Sequence, residues 1–329
     1  MMRSVGVIGC GAIVRQLHLP VLKSLPDVAV KWIADKDSAL ANEVAAANRV
    51  EPVEYCGNLS LLPTVDVLLI AIPWGARPQI YQQLQALQGK RPSIYVEKPF
   101  AKSLSEHLAT TAPYADWEVA VGLIRRVSGS VQTAKQLSLS GAFGPPKTCR
   151  IQFGGLGRIM TRGGYMGDPG LSGGGITMEM GVHYIDSALE ILGASDVALI
   201  TKNVLMHGGF DVHVEAVFEV TLRSNDRVEL FVKFSYLDSV ASSISFEYES
   251  ATMNVDISGA GRIDLKGRSR TDVFEVVVDP RHGPTEPFAV AGLQWALFLD
   301  GLRMKQLNSA NAAAMVLTSK VVGQLYGID

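Results

Sequence analysis

Apolar residues recur along the first 123 positions in short runs parted by amphipathic stretches. Ser4–Ile8, "VAVKWIAD" (Val28–Asp35), Val53–Cys56, Val65–Ile72, Ser93–Glu97 and Glu118–Leu123 read as strands. Helix-compatible segments lie between most of them: a run to about Ser24, then Ser38–Asn48, Gln79–Gln88 and Ser103–Tyr114. Strands alternating with helices predict an α/β unit, a doubly wound parallel sheet wrapped on both faces. The almost unbroken apolar run "VDVLLIAI" suits its centre.

From Lys147 the period changes. Runs at Lys147–Phe153, Ala198–Met206, Val214–Leu222, Arg227–Tyr236, Ser243–Glu249, Met253–Ile257, Arg262–Lys266 and Phe274–Val278 follow with few helices between them. Many alternate apolar and polar, as in "RVELFVKFSY", which predicts half-buried antiparallel strands in a meander. "RSND" at 223–226 is a turn between two of them. The expected division is therefore 1–123 and 124–329, joined near Gly122–Val127, with a helix at Gly129–Leu139 crossing between the halves.

Three places carry candidate chemistry. "GCGAIV", residues 9–14, follows the first strand and opens a helix, the setting in which G-x-G-x-x-G binds a dinucleotide. Gly9 allows the tight turn; Gly11, Ala12 and Ile13 would present backbone to a pyrophosphate at the helix N-terminus. A glycine turn that only joins strand to helix is the alternative. Asp35 ends the second strand about 20 residues on, where an acid can accept hydrogen bonds from a ribose and repel a 2′-phosphate. This favours NAD over NADP, although Lys36 beside it can attract that phosphate. Asp35 can equally be a plain strand end.

"IYVEKPF", 94–100, brings Glu97 and Lys98 to the carboxyl end of a buried strand, where ligands sit in such sheets. Pro99 then stops the strand. Glu97 either orients the amine or lies on the opposite face. Pro73 and Trp74 end another strand and can line a nicotinamide or adenine pocket. Finally, "TRGGYMGDPGLSGGGITMEMGVHYID" is glycine-rich and flexible up to Gly175 and then helical. Glu179 and His183 stand four apart on one helix face, and Asp186 is placed to orient the imidazole. A histidine readily takes and returns a proton near neutral pH. The alternative is a helix-surface pair with no role. Arg162, Tyr165 and Asp168 are candidates for substrate hydroxyls.

Composition narrows the classes. The chain has 329 residues, 47% hydrophobic and 19% charged, with a formal net charge of −2. That balance gives no basis for nucleic-acid or anionic-membrane partners. The longest apolar run is far short of a membrane span. Cys10, Cys56 and Cys149 form no C-x-x-C pair, which argues against a disulfide framework or structural zinc and fits a reducing cytoplasm.

Together, "GVIGCGAI", "HLP" (18–20), "DVLLIAIP", "VEKPF", "VGLIRR" (121–126), "SGGGITMEMGVHYID" and the C-terminal pair "LQWALFLDGLR" and "ANAAAMVLTSKVVGQLY" resemble the Gfo/Idh/MocA oxidoreductases, in that family's order. The resemblance implies a dinucleotide-binding domain followed by an α/β domain with a large, mostly antiparallel open sheet. That sheet would mediate homodimers or homotetramers. It implies an NAD (or NADP) enzyme acting on a sugar, inositol or related polyol, with Lys98 at the reacting oxygen and His183 as acid/base. It leaves room for non-carbohydrate substrates, NAD-dependent glycoside hydrolysis or a non-catalytic dinucleotide sensor. Four positions depart from the family pattern. Val14 stands for the third glycine, Trp74 and Arg77 for an asparagine and a histidine after Pro73, and Glu179 for an aspartate.

Overall fold

In the computed structural model of the chain, residues 2–54, 57–89, 91–156, 164–257, 261–269 and 273–328 are described. Two compact units emerge. The first takes Met1–Phe100, Leu108–Gly122 and Ala291–Ala314; the second takes Ala101–His107, Leu123–Val290 and Met315–Asp329. The expected single boundary at 123 thus gives way to an exchange of segments. Part of the helix Pro287–Met304 completes the first core, with Trp295 and Phe298 fully buried.

In the first unit, β1 (Arg3–Ile8), β2 (Val28–Ala34), β3 (Glu51–Pro52), β4 (Val67–Ile70), β5 (Ser93–Val96) and β6 (Val119–Val121) form one sheet. Its order is β3-β2-β1-β4-β5-β6, and every pairing is parallel. All four residues of β4 are buried, as its continuous apolar sequence requires of a central strand. In this order the topological switch lies between β1 and β4, and ligands bind beyond the carboxyl ends there. Helix α1 (Leu19–Ser24) is preceded by a π-helical turn, Val14–His18, rather than being one α-helix from the glycine loop. Val14 is fully buried, so the chain accommodates the valine inside this wider turn. Helix α2 (Ser38–Asn48) is capped by Asp37, which accepts from Leu40 N–H at 3.1 Å. Helix α3 (Arg77–Ala86) begins and ends two residues earlier than expected, and α4 (Leu104–Thr111) is shorter than expected at both ends.

The second unit holds β7 (Pro146–Gly154), β8 (Ala194–His207), β9 (Phe210–Leu222), β10 (Arg227–Ser235), β11 (Ser243–Tyr248), β12 (Ala251–Val255), β13 (Ile263–Gly267) and β14 (Val273–Val276). The order is β14-β13-β12-β11-β7-β10-β9-β8. It is mostly antiparallel, but it is not the simple meander the pattern suggests. Strand β7 comes first in the chain yet sits in the middle, parallel to β10 and antiparallel to β11. Two meanders flank it. Period-two patterning fixes which face of a strand is buried; it carries no information on which neighbours pair.

One face of this sheet buries Val214, Phe218, Val220, Leu230, Val232 and Phe234. Helix α5 (Gly129–Leu139) belongs wholly to this unit. Helix α7 (Val182–Leu192) is buried at every position, and α9 (Val316–Tyr326) packs on the same core. Within α7, Asp186 and Glu190 are matched by Arg126: Nε lies 3.0 Å from Asp186 Oδ2, Nη2 lies 2.6 Å from Oδ1, and Nη1 donates to Glu190. Lys135 adds a 2.6 Å bond to Glu190. A buried carboxylate without such partners is very costly.

Candidate functional site

In the first unit the chain leaves β1 at Gly9, whose φ of +102° is open to glycine and costly for other residues. A Cβ there would lie 2.4 Å from the carbonyl oxygen of Ala71, so the exits of β1 and β4 converge. At Gly11 the opposite holds: a Cβ would meet nothing within 4 Å. Ala12 and Ile13 are exposed beside it. Open space in front of a strand-to-helix glycine turn is what a pyrophosphate needs to approach backbone amides.

Asp35 closes the turn from β2. Its carboxylate accepts Cys10 N–H at 2.6 Å and Asp37 N–H at 2.9 Å. Lys36 is exposed. Burial, and then Asp35, push the Cys10 thiol up to about 12, so it stays protonated and inert. The residues present fit a dinucleotide: an open glycine turn and an acid held at the ribose position.

At the end of β5, Glu97 is buried and points inward. Its Oε1 lies 2.7 Å from His18 Nε2, and its Oε2 accepts the Lys98 N–H at 3.0 Å. Gly122 makes room, since a Cβ there would sit 2.6 Å from Oε1. Burial pushes the Glu97 carboxyl up. The His18 hydrogen bond and the charges around it, Lys98 and Arg77 among them, outweigh it and hold the group below the ordinary range. Arg77 is 2% exposed. Its Nε donates to Ile72 O at 2.9 Å, and its Nη1 donates to Pro99 O. It therefore ties the exit of β4 to that of β5. The Lys98–Pro99 peptide is cis. Pro73 precedes, and Trp74 opens, the 3₁₀ turn Trp74–Ala76 after β4.

In the second unit, Glu179 lies in a π-helical turn, Thr177–Gly181, and His183 in the first turn of α7. Glu179 accepts from Tyr236 O–H. Asp186 does not serve the imidazole as expected: Arg126 takes both its oxygens and Thr318 Oγ1 adds a 2.8 Å bond.

The glycine run before this helix is a packing device, not a flexible stretch. Gly173 caps the short α6 (Pro169–Ser172). A Cβ at Gly174 would lie 2.2 Å from Tyr326 Oη, and one at Gly175 2.1 Å from Asp211 O. Asp211, fully buried, accepts from Gly175 N–H, from Thr177 N–H at 2.8 Å and from Tyr326 O–H at 2.6 Å. It caps the helix that carries Glu179 and His183. Tyr165 is 50% exposed. Asp168 caps α6, accepting Gly170 N–H at 2.8 Å. Arg162 lies outside the described residues.

Sequence reasoning missed His18, Trp295, Asp211, Tyr236 and Tyr326. Only His18 left a signal, as a polar residue among the buried apolar positions Val14, Leu19, Val21 and Leu22.

Comparison with known proteins gives concordant results. Residues 3–121 match the family model for the oxidoreductase family with an NAD-binding Rossmann fold, and residues 131–252 match the GFO/IDH/MocA C-terminal domain. An uncharacterized oxidoreductase, YrbE, of Bacillus subtilis is 26% identical over 61% of this chain and 57% of its own length. An inositol 2-dehydrogenase of Ralstonia nicotianae is 26% identical over 44% of each chain. The matched stretches thus span about half the length of these relatives. A 3-ketoreductase from Actinomadura kijaniata, solved with NADP and TDP-benzene, shares the fold. Its TM-score is 0.78 at 19% identity, over 99% of this chain and 98% of that one.

Proposed function

The chain belongs to the Gfo/Idh/MocA oxidoreductase family, and on that premise we propose that it transfers a hydride between nicotinamide and the carbinol or keto carbon of a sugar, inositol or related polyol. The observation that carries the reading is the first unit's crevice: the open turn at Gly11, the pinned Asp35, and Lys98 at the end of the same parallel sheet. The inositol 2-dehydrogenase relative supports a polyol substrate. NAD is the preferred cofactor, because the Asp35 carboxylate repels a 2′-phosphate.

Gly9, Gly11, Ala12 and Ile13 hold the pyrophosphate and Asp35 the ribose, with Pro73, Trp74 and Glu97–Lys98 beside the nicotinamide. The bound nicotinamide supplies the hydride acceptor in oxidation and the donor in reduction. In oxidation His183 removes the hydroxyl proton as the C–H bond breaks, and returns a proton in reduction. Lys98 places positive charge where the alkoxide develops. Glu179, fixed by Tyr236, binds a neighbouring hydroxyl or tunes His183. We assign Tyr165, Asp168 and Arg162 to substrate hydroxyls. The same reading makes the enzyme a cytoplasmic homodimer or homotetramer, assembled through the outer face of the second sheet. On that face Arg150 lies over the Phe231 ring at 4.1 Å.

Lys98→Met tests the assignment. Turnover on the best polyol found by screening should fall by about 100-fold or more, with NADH binding spared. Near-normal turnover would remove Lys98 from the chemistry.

A further inference from the structure

Behind Glu97 and Lys98 in the first unit runs a buried line of side chains, two of which, His18 and Trp295, have no part in the chemistry above. It runs from helix α8 (Pro287–Met304) to the backbone of Lys98. Trp295 Nε1 lies 3.1 Å from His18 Nδ1. An indole nitrogen can only donate, so Nδ1 must accept and the imidazole proton sits on Nε2. That nitrogen is 2.7 Å from Glu97 Oε1, and the other carboxylate oxygen takes the Lys98 N–H at 3.0 Å. His18 and Trp295 are fully buried and Glu97 is 7% exposed. Trp295 cannot swing away easily. It stacks on Tyr95 at 4.1 Å and 10°. Tyr95 O–H donates to Gln294, whose amide donates to Val121 O at 2.9 Å.

We propose that Trp295, His18 and Glu97 form a positioning relay: Trp295 selects the imidazole tautomer, His18 holds the Glu97 carboxylate, and Glu97 fixes the main chain at Lys98. The relay deepens the reading of Lys98 given above and rests on it. A second proton on His18 would set two N–H groups against each other across 3.1 Å between two fully buried rings, and an unpaired buried donor is costly. Among the described residues, the titratable groups shown against the imidazole are Tyr95 and Glu97, from β5 and its exit, and Lys98 and Arg77 act on Glu97 in turn. Arg15, on His18's own turn, is exposed.

The test is long-range 1H–15N correlation on the full chain with 15N-labelled histidines, His18 being identified by the signal lost in His18→Gln. At neutral pH the spectrum should show His18 with a protonated Nε2 and a bare Nδ1. Trp295→Phe keeps the ring on Tyr95 but removes the donor, and should let an Nδ1–H form appear. An imidazolium or an Nδ1–H form in the unaltered protein overturns the relay, with no variant needed. In kinetics, His18→Leu should lower kcat by about tenfold or more with the KM for cofactor little changed. His18→Gln, whose amide can donate to Glu97, should recover most of the loss. Normal kcat in His18→Leu would overturn the positioning role even with the tautomer as stated. Normal turnover in Lys98→Met with the tautomer intact would instead sink the assignment of Lys98, so the two failures are told apart.

Discussion

Each unit holds a candidate catalytic segment with a buried carboxylate, and the two do it with different chemistry. In the first, Glu97 faces an imidazole and lies in the fields of Lys98 and Arg77, so side chains offset its charge. In the second, Asp211 faces two backbone N–H groups and a phenol, so the amides of a helix start and Tyr326 do so. A carboxylate at a helix N-terminus draws on the free N–H groups and on the dipole. The first device depends on a second titratable group, His18. The second depends on backbone geometry, and therefore on glycines that let the chain come close.

The comparison breaks most directly at the acids themselves. Glu97→Gln and Asp211→Asn each turn one acceptor oxygen into a donor facing an N–H. Each should destabilise the fold by about 1–3 kcal/mol, read as a fall in Tm. Gly175→Ala should act like the loss of Asp211, because its Cβ would lie 2.1 Å from Asp211 O. If Asp211→Asn leaves Tm unchanged, the cap is not what holds that helix.

Acid sharpens the contrast. Glu97 is held below its ordinary value of 4.5, so it binds its proton more weakly folded than unfolded. Its contribution is fully present above that value and is lost as pH falls through the folded value. Burial alone would push the group the other way. Removing the His18 hydrogen bond should therefore shrink or invert this slope. Urea unfolding at a series of pH values below about 5, comparing the unaltered protein with His18→Leu, measures it. Parallel curves would mean that His18 does not set the charge on Glu97.

The smallest expected effect is at Asp35. Replacing it with Ser should relax the preference for NADH over NADPH by about fivefold, the value of roughly 1 kcal/mol of repulsion at close range in water. A larger change would mean that the 2.6 Å bond from Cys10 N–H also holds the glycine loop in shape.

What was legible follows the same divide. The parallel unit could be read because its rules are local: an apolar strand, a glycine turn, an acid about 20 residues on. Helices Ser38–Asn48 and Gly129–Leu139 were placed to the residue. The strands of the second sheet were found, but the central place of β7 was not, because pairing order depends on contacts remote in sequence. Lys98 and its neighbour Glu97 stood out as a charged pair ending an apolar run. Trp295 reaches His18 across 277 positions and Asp211 reaches Gly175 across 36, with no local mark on either. Asp186 shows the converse: helical spacing put it near His183, yet Arg126, from a distant turn, claimed its oxygens.

The central claim is a nicotinamide cofactor on the first unit, chosen by Asp35. Titrating the purified protein with NADH and with NADPH, followed by nicotinamide fluorescence, tests it directly. The account predicts that both bind and that NADH binds more tightly. Binding of neither to folded protein would contradict the glycine-turn reading and every role built on it, and tighter NADPH would mean that Lys36 outweighs Asp35.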